Sequence, residues 1–293
     1  MKVALCTLVL NEMEWLPKLY EQHKNWPDMV RWVFVESADT MYTQANPDVV
    51  SADGLSTDGT TEFLEELANK DSRIIHIKHG FSYNDDPAQG KCESRNQYLR
   101  AIEPDAPDFF VVLDADEFYL KQIQTNLNHF IPTRTEWGHC FAHREIWYPP
   151  YLKAAGKNLF DLEVVGGFWS IPYCRVWKWF ANLQYNNHNT PSHSNGLPLD
   201  KRLAQYTQYP TSPYFVHMGF ASNLENRAAK NRYYEVRGES VDRNRSWYCD
   251  SRRAFETWTP NTVLPKSAKV IKYRGEIPEV FLLNDSKVQP CDT

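Results

Sequence analysis

The chain has 293 residues, 42% hydrophobic and 24% charged, with a net charge of −5. That balance is too apolar for a disordered chain and too charged for a membrane protein, and the length suffices for one large or two small packed domains. The small net charge hides an asymmetry: residues 1–120 hold 22 acids against 10 bases, whereas residues 201–274 hold 14 bases against 6 acids.

The opening stretch Met1–Leu10 carries one lysine and no small-residue cleavage site, so it reads as a buried strand rather than a secretory signal. No apolar run approaches the ~20 residues of a membrane span, and no transmembrane segment is expected. Six scattered cysteines form no CxxC pair. That excludes a zinc ribbon and points to reduced thiols in a cytoplasmic setting.

In chain order, Lys2–Leu10 is a continuous apolar run, as expected of a strand covered on both faces. Glu14–Lys24 follows as a helix with Pro17 in its first turn. Arg31–Val35 is a second strand, and a loop containing Asn46-Pro47 and Asp53-Gly54 leads to a helix over Asp58–Asn69, capped by Thr57 or Asp58. Arg73–Lys78 is a third strand, Gln89–Ile102 a helix, and Phe109–Leu113 a fourth, strongly apolar strand. Such alternation implies a parallel, doubly wound sheet. After Ile131 the pattern changes. Residues 138–180 read as longer aromatic strands and residues 185–213 as loop, while Ser222 with Glu225 forms a capping box for a basic helix to about Arg237. A second helix is expected near Trp247–Trp258.

The strongest chemical signal is Asp114-Ala115-Asp116-Glu117-Phe118, directly after the fourth strand. Ligands of open α/β sheets bind beyond the carboxyl ends of the strands. Carboxylates this close repel, and a hard divalent cation shared with a phosphate relieves the repulsion. Extended-chain alternation would aim Asp114 and Asp116 at one ion. The plainer alternative is a strand-end turn whose acids cap the next helix. Two further stretches stand at strand-to-helix junctions. Ser56-Thr57-Asp58-Gly59-Thr60 also fits a turn with an N-cap. Gly90-Lys91-Cys92-Glu93-Ser94-Arg95-Asn96 fits either a solvated helix face or a diphosphate clamp through Arg95.

Taken in order, Leu10-Asn11-Glu12, Ser-Thr-Asp-Gly-Thr, Gly-x-x-x-Ser-Arg-Asn and Asp-Ala-Asp-Glu-Phe resemble glycosyltransferase family 2, in the subgroup whose metal motif reads DADEF. The resemblance covers residues 1–120, with later fragments at Tyr173–Val176 and Phe215–Gly219. It implies an α/β fold, a GT-A-like doubly wound mixed sheet with a C-terminal acceptor-side extension. Residues 1–131 would be the nucleotide-sugar-binding half and 132–293 the acceptor-side half of one continuous domain. It also implies a nucleoside-diphosphate sugar donor with Mn²⁺ or Mg²⁺. Thr7, Asn11, Glu12, Glu36, Asp53, Asp58, Arg95 and Asp114 would meet the nucleotide, and Asp114 and Asp116 the metal. The sequence departs from the family between Glu36 and Asp53, where an insertion separates the expected acidic pair. In similar enzymes a late histidine completes the metal site. His217 is the choice, with His188 and His193 as rivals.

An inverting transfer needs a carboxylate to take the acceptor proton. Glu145, Asp161 and Glu163 are the candidates. Most of the aromatic residues between 137 and 179 read as packing, with Trp147-Tyr148-Pro149-Pro150 as an exposed platform. The basic run Arg227, Lys230, Arg232, Arg237, Arg243, Arg245, Arg252 and Arg253 is either solvated helix surface or a site for a polyanionic acceptor, nucleic acid or a phosphorylated glycan. A nucleotidyltransferase is the rival enzyme, but its Gly-rich first loop is absent from Asn11-Glu12-Met13-Glu14. A carbohydrate-binding protein without catalysis is the rival from another class.

Overall fold

A computed structural model describes residues 1–82, 87–165, 172–187, 190–193, 203–206, 214–221, 224–236, 255–262, 264 and 268–282. The first half runs β1 (Val3–Val9), α1 (Leu16–His23), β2 (Met29–Asp39), α2 (Thr40–Ala45), α3 (Thr60–Lys70), β3 (Ile74–Ser82), α4 (Pro87–Ile102) and β4 (Phe109–Val112). Then come β5 (Glu117–Tyr119), α5 (Lys121–Phe130), β6 (Gly138–Phe141), β7 (His143–Trp147), α6 (Pro150–Ala154), β8 (Leu162–Val165) and β9 (Tyr173–Lys178). The remainder comprises β10 (Leu183–Tyr185), β11 (Pro191–His193), β12 (Leu203–Tyr206), β13 (Phe215–Phe220), α7 (Leu224–Val236) and β14 (Lys269–Lys272).

The main sheet has seven strands in the order β12-β6-β9-β4-β1-β2-β3. β1 pairs in parallel with both β2 and β4, and β2 with β3. β9 enters antiparallel between β4 and β6, so the sheet is mixed. The sequence shows why β1 and β4 are central. Their side chains feed two apolar layers, one with Val3, Leu5, Phe109 and Val111, the other with Ala4, Cys6, Phe110 and Val112. Each fully buried Val or Phe contributes about 1.5–3 kcal/mol, so a polar residue on either face would be costly.

A second sheet of five strands, β14-β8-β7-β13-β5, forms beside the carboxyl end of β4. β13 lies between β5 and β7, antiparallel to the first and parallel to the second. Its register sets His217 opposite Glu117 on one side and Glu145 on the other. The Met218 N–H also donates to the Asp116 carbonyl at 2.8 Å. The Asp-Ala-Asp-Glu turn is thereby tied to β13, although some 100 residues separate them in the chain.

Several expectations change. α3 is capped by Gly59 at φ 95°, not by the side chain of Thr57 or Asp58. Asp58 instead accepts from the backbone N–H groups of Met13 and Thr60, joining two loops. The stretch 138–180 holds short strands and α6 rather than long strands. Residues 185–213, expected as loop, contribute a β10–β11 hairpin and the edge strand β12. Trp147 is no exposed platform. It is fully buried among Phe220, Phe255 and Trp258. β5 and α5 were not foreseen. The cap at Ser222, most of the helix expected near Trp247–Trp258, and His188 lie outside the described residues. Among the described residues no helix is long and apolar enough to cross a membrane.

Candidate active site

A cavity of about 710 Å³ opens beyond the carboxyl ends of β1, β2 and β4. That volume lies within the ordinary range for small-ligand sites. Its walls include Glu12 after β1, Ser37 and Asp39 from β2, Arg95 from α4, Asp114 and Asp116, Arg175 from β9, His217 from β13 and Lys230 from α7.

The Asp-Ala-Asp-Glu turn divides its acids between partners. Asp114 accepts from Arg175 Nη2 at 2.6 Å, and Glu117 accepts from Arg175 Nε at 3.0 Å. Asp116 instead faces His217, with Oδ1 3.4 Å from Nε2, and Lys230, whose Nζ is 3.9 Å from Oδ2. Arg175 holds Asp114 aside, and Asp116 is the one beside the histidine.

The charges around Asp116 are strongly coupled. Burial disfavours its carboxylate, but His217 and Lys230 outweigh that and hold it well below the usual range. Burial likewise opposes a charge on His217, yet Glu145 and Asp116 raise it well above an ordinary imidazole. Glu12 is pushed up to about 8 by burial, with Asp116, Asp58 and Asp114 adding to the rise against Lys230. Burial lifts Glu117 to about 7 in spite of Arg175. Acids crowd this corner, and a protonated imidazole and an ammonium are the positive charges beside Asp116.

Arg95 sits on the α4 face turned to the cavity. Its Nη1 donates to the Tyr98 hydroxyl at 3.3 Å, and its guanidinium lies 5.4 Å from the Tyr185 ring centre. Its Nε is buried with no hydrogen-bond partner among the described residues. The next residue, Asn96, donates to the Tyr185 carbonyl at 3.1 Å and accepts from its N–H at 2.7 Å, fastening α4 to β10.

Glu12, Arg95, Asp114, Asp116 and His217 reach the cavity as expected. Other expected nucleotide contacts do not line it. Thr7 is fully buried and accepts from the Trp32 indole at 3.0 Å. Asn11, at φ 54°, accepts from the Thr57 N–H and donates to the Val49 carbonyl. Glu36 is fully buried, where the Ser56 N–H, the Thr61 hydroxyl and His76 all bond to it. Asp53 accepts from Ser51 on the exposed side of its loop. These side chains build the loops that frame the cavity and leave the contact to others.

None of the expected acceptor bases lines the cavity either. Glu145 is 1% exposed beneath His217. Asp161 accepts from the Asn158 N–H in the loop before β8. Glu163 is buried near Arg144 at 3.5 Å.

Several cavity residues escaped the sequence reading. The insertion after β2 forms α2, and Asp39 caps it by accepting from the Tyr42 N–H at 2.8 Å. The other Asp39 oxygen accepts from the Tyr233 hydroxyl at 2.6 Å. Asn46 donates to the Ala229 carbonyl and accepts from Arg232 Nε. The insertion thus clasps α7 over the cavity and aims Lys230 at Asp116. The sixteen residues between Glu36 and Asp53 give no pattern from which this docking could be read.

Residues 8–152 match the model of glycosyl transferase family 2. The chain is glycosyltransferase family 2-like. The match spans Glu12, Arg95 and the Asp-Ala-Asp-Glu turn, and ends before Arg175, His217 and Lys230. In this family 2-like chain the far wall of the cavity is therefore built by residues outside the match. Solved structures to which the chain is similar include S. aureus TarS 1-349, 13% identical over 87% of this chain and 72% of that one, with a TM-score of 0.43. The same protein in complex with UDP-GlcNAc is 12% identical over 87% and 73%, with a TM-score of 0.44. A 4-diphosphocytidyl-2C-methyl-D-erythritol synthase is 11% identical over 60% and 75%, with a TM-score of 0.36. No curated protein matches the chain.

Proposed function

We propose that this chain is a metal-dependent glycosyltransferase that takes its sugar from a nucleoside-diphosphate sugar. The observation that carries the proposal is the pairing of Asp116 with His217 at 3.4 Å in a cavity whose walls also hold Arg95 and Lys230. A carboxylate oxygen and an imidazole nitrogen are a suitable donor pair for Mn²⁺ or Mg²⁺. The crowding of Asp116, Asp114 and Glu12 supports the fit, because such a corner gains most from an added cation. When bound, a divalent cation supplies charge neutralisation for a departing diphosphate.

The chain's own residues do the rest. Asp116 and His217 hold the cation. Arg95 is permanently charged and lines the cavity, where its charge would meet phosphate oxygens. Lys230, brought in by the α2–α7 clasp, adds a second positive charge near Asp116. Asp114, held by Arg175, is left to accept hydrogen bonds from a sugar or ribose hydroxyl rather than to bind the ion. Such fixed charges and dipoles stabilise developing charge without reorganising. Among the described members of the basic run, Lys230 faces Asp116 and Arg232 bonds Asn46. Lys230 therefore reads as donor wall rather than as part of a groove for nucleic acid or a phosphorylated glycan.

A thermal-shift panel of UDP-, GDP-, CDP- and dTDP-sugars, with and without Mn²⁺, tests the proposal. A ligand that binds only the folded state raises the melting point. At least one donor should stabilise the protein, and more so with Mn²⁺. A panel flat in every arm would sink the proposal.

A further inference from the structure

The geometry points to Glu145 as a positioning residue that fixes the tautomer and ring orientation of His217, and not as a base. The inference rests on the reading of Asp116 and His217 as a metal-holding pair. Glu145 and His217 face one another across the parallel β7–β13 register. Glu145 Oε2 lies 2.6 Å from His217 Nδ1, and Asp116 Oδ1 lies 3.4 Å from Nε2 on the other side of the ring. A carboxylate on Nδ1 requires that nitrogen to carry the proton. Nε2 is then the nitrogen on the Asp116 side, and the one whose lone pair a cation would meet once its own proton is given up.

Burial makes the arrangement stiff. Glu145 is 1% exposed, and its other oxygen, Oε1, has no hydrogen-bond partner among the described residues. That burial keeps the carboxylate away from a substrate in the cavity. Gly219 roofs the pair from the cavity side. A Cβ built there would stand 2.5 Å from His217 Cε1 and 2.9 Å from Glu145 Oε1. Only a residue without a side chain leaves the dyad its space.

One competing arrangement uses the same atoms. His143, Glu145 and His217 each offer a ligand atom, all within 4.8 Å of one another, and could gather an ion beneath the cavity floor. That would need Nδ1 of His217 deprotonated and its bond to Glu145 given up. It would also leave Asp116 out of the site. His143 is already packed between the rings of Tyr173 and Phe215, at 4.2 and 5.3 Å. The short Glu145–His217 bond favours the positioning role.

The test is Mn²⁺ binding to the whole protein, followed by the electron paramagnetic resonance signal of free Mn²⁺. Glu145→Ala should weaken Mn²⁺ binding by about ten- to a hundredfold, the usual effect of removing such an outer partner. Glu145→Gln keeps an oxygen to accept from Nδ1–H and should recover most of the affinity. That rescue would not follow if the carboxylate were itself a ligand. His143→Phe should bind Mn²⁺ like the wild type. Wild-type affinity in Glu145→Ala, alongside loss in Asp116→Ala, overturns the positioning role and leaves the metal reading standing. A large loss in His143→Phe overturns it too, in favour of an ion in the buried triad. A wild type that binds no Mn²⁺ overturns both readings. If Glu145→Ala fails to fold, Glu145→Gln decides alone, because losing affinity as a folded protein would contradict the role.

Discussion

Replacing Arg175 by methionine keeps the stem of the side chain and removes the cation that serves Asp114 and Glu117. Arg175 is 12% exposed and Glu117 fully buried, so the lost pairing is not a surface one. With Arg175 present, Glu117 titrates at about 7, raised by burial and held back by the guanidinium. Without it, Glu117 should titrate higher still. At pH 6 the carboxyl is mostly protonated in both proteins. The variant then loses chiefly hydrogen bonds to charged groups, about 1.5–3 kcal/mol. Above pH 7 the two diverge. The folded variant keeps a proton that its unfolded chain has released, and its stability falls by about 1.4 kcal/mol per pH unit. The folded wild type has let that proton go, so this group no longer changes its stability. The deficit of the variant should therefore grow by about 1 kcal/mol between pH 7 and pH 8. Urea unfolding at pH 6, 7 and 8, with EDTA present, measures it. A deficit that stays constant or shrinks as pH rises would refute the reasoning about Glu117.

Other outcomes follow from the same geometry. Glu36 is held down at about 2, burial being outweighed by bonds from His76, Thr61 and Ser56. A depressed carboxyl stabilises above its unfolded value of 4.5 and loses that stability as pH falls toward 2. Acid titration of stability should show Glu36→Gln losing about 3 kcal/mol less than wild type across that window. Lys230→Met should weaken nucleoside-diphosphate binding by roughly tenfold or more, and nucleoside-monophosphate binding much less, in calorimetric titrations. Gly138→Ala would set a Cβ 2.5 Å from the buried Trp177 ring and 2.7 Å from Leu203. Denaturant unfolding should show a loss of about 1–3 kcal/mol.

The parts legible in the sequence were those set by local pattern. β1 and β4 are apolar on both faces because both faces are covered, and the strand-to-helix alternation follows from that. Asp116 and Arg95 were legible because short motifs at strand ends report where ligands gather. Glu36 and Asp58 bond to donors of the surrounding loops and do not line the cavity. A polar side chain at a loop satisfies backbone donors as readily as a ligand, and one sequence does not tell which. The far wall was less legible still. Arg175, Tyr233 and Lys230 come to the cavity by pairings of β9 and α7 with distant segments, and register across such distances leaves no mark in local spacing. His217, singled out by the resemblance, does line the cavity. Glu145 stands out in the sequence for its chemistry, and only the β7–β13 register shows that it lies behind the histidine.

The central claim is that Asp116 and His217 together hold the cation on which donor binding depends. Calorimetric titration of the nucleoside diphosphate selected by the donor panel, into wild type and Asp116→Ala with and without Mn²⁺, tests it most directly. The wild type should bind markedly tighter with Mn²⁺, and Asp116→Ala should lose that increment while remaining folded. Binding in Asp116→Ala that Mn²⁺ strengthens as much as in the wild type would contradict the account.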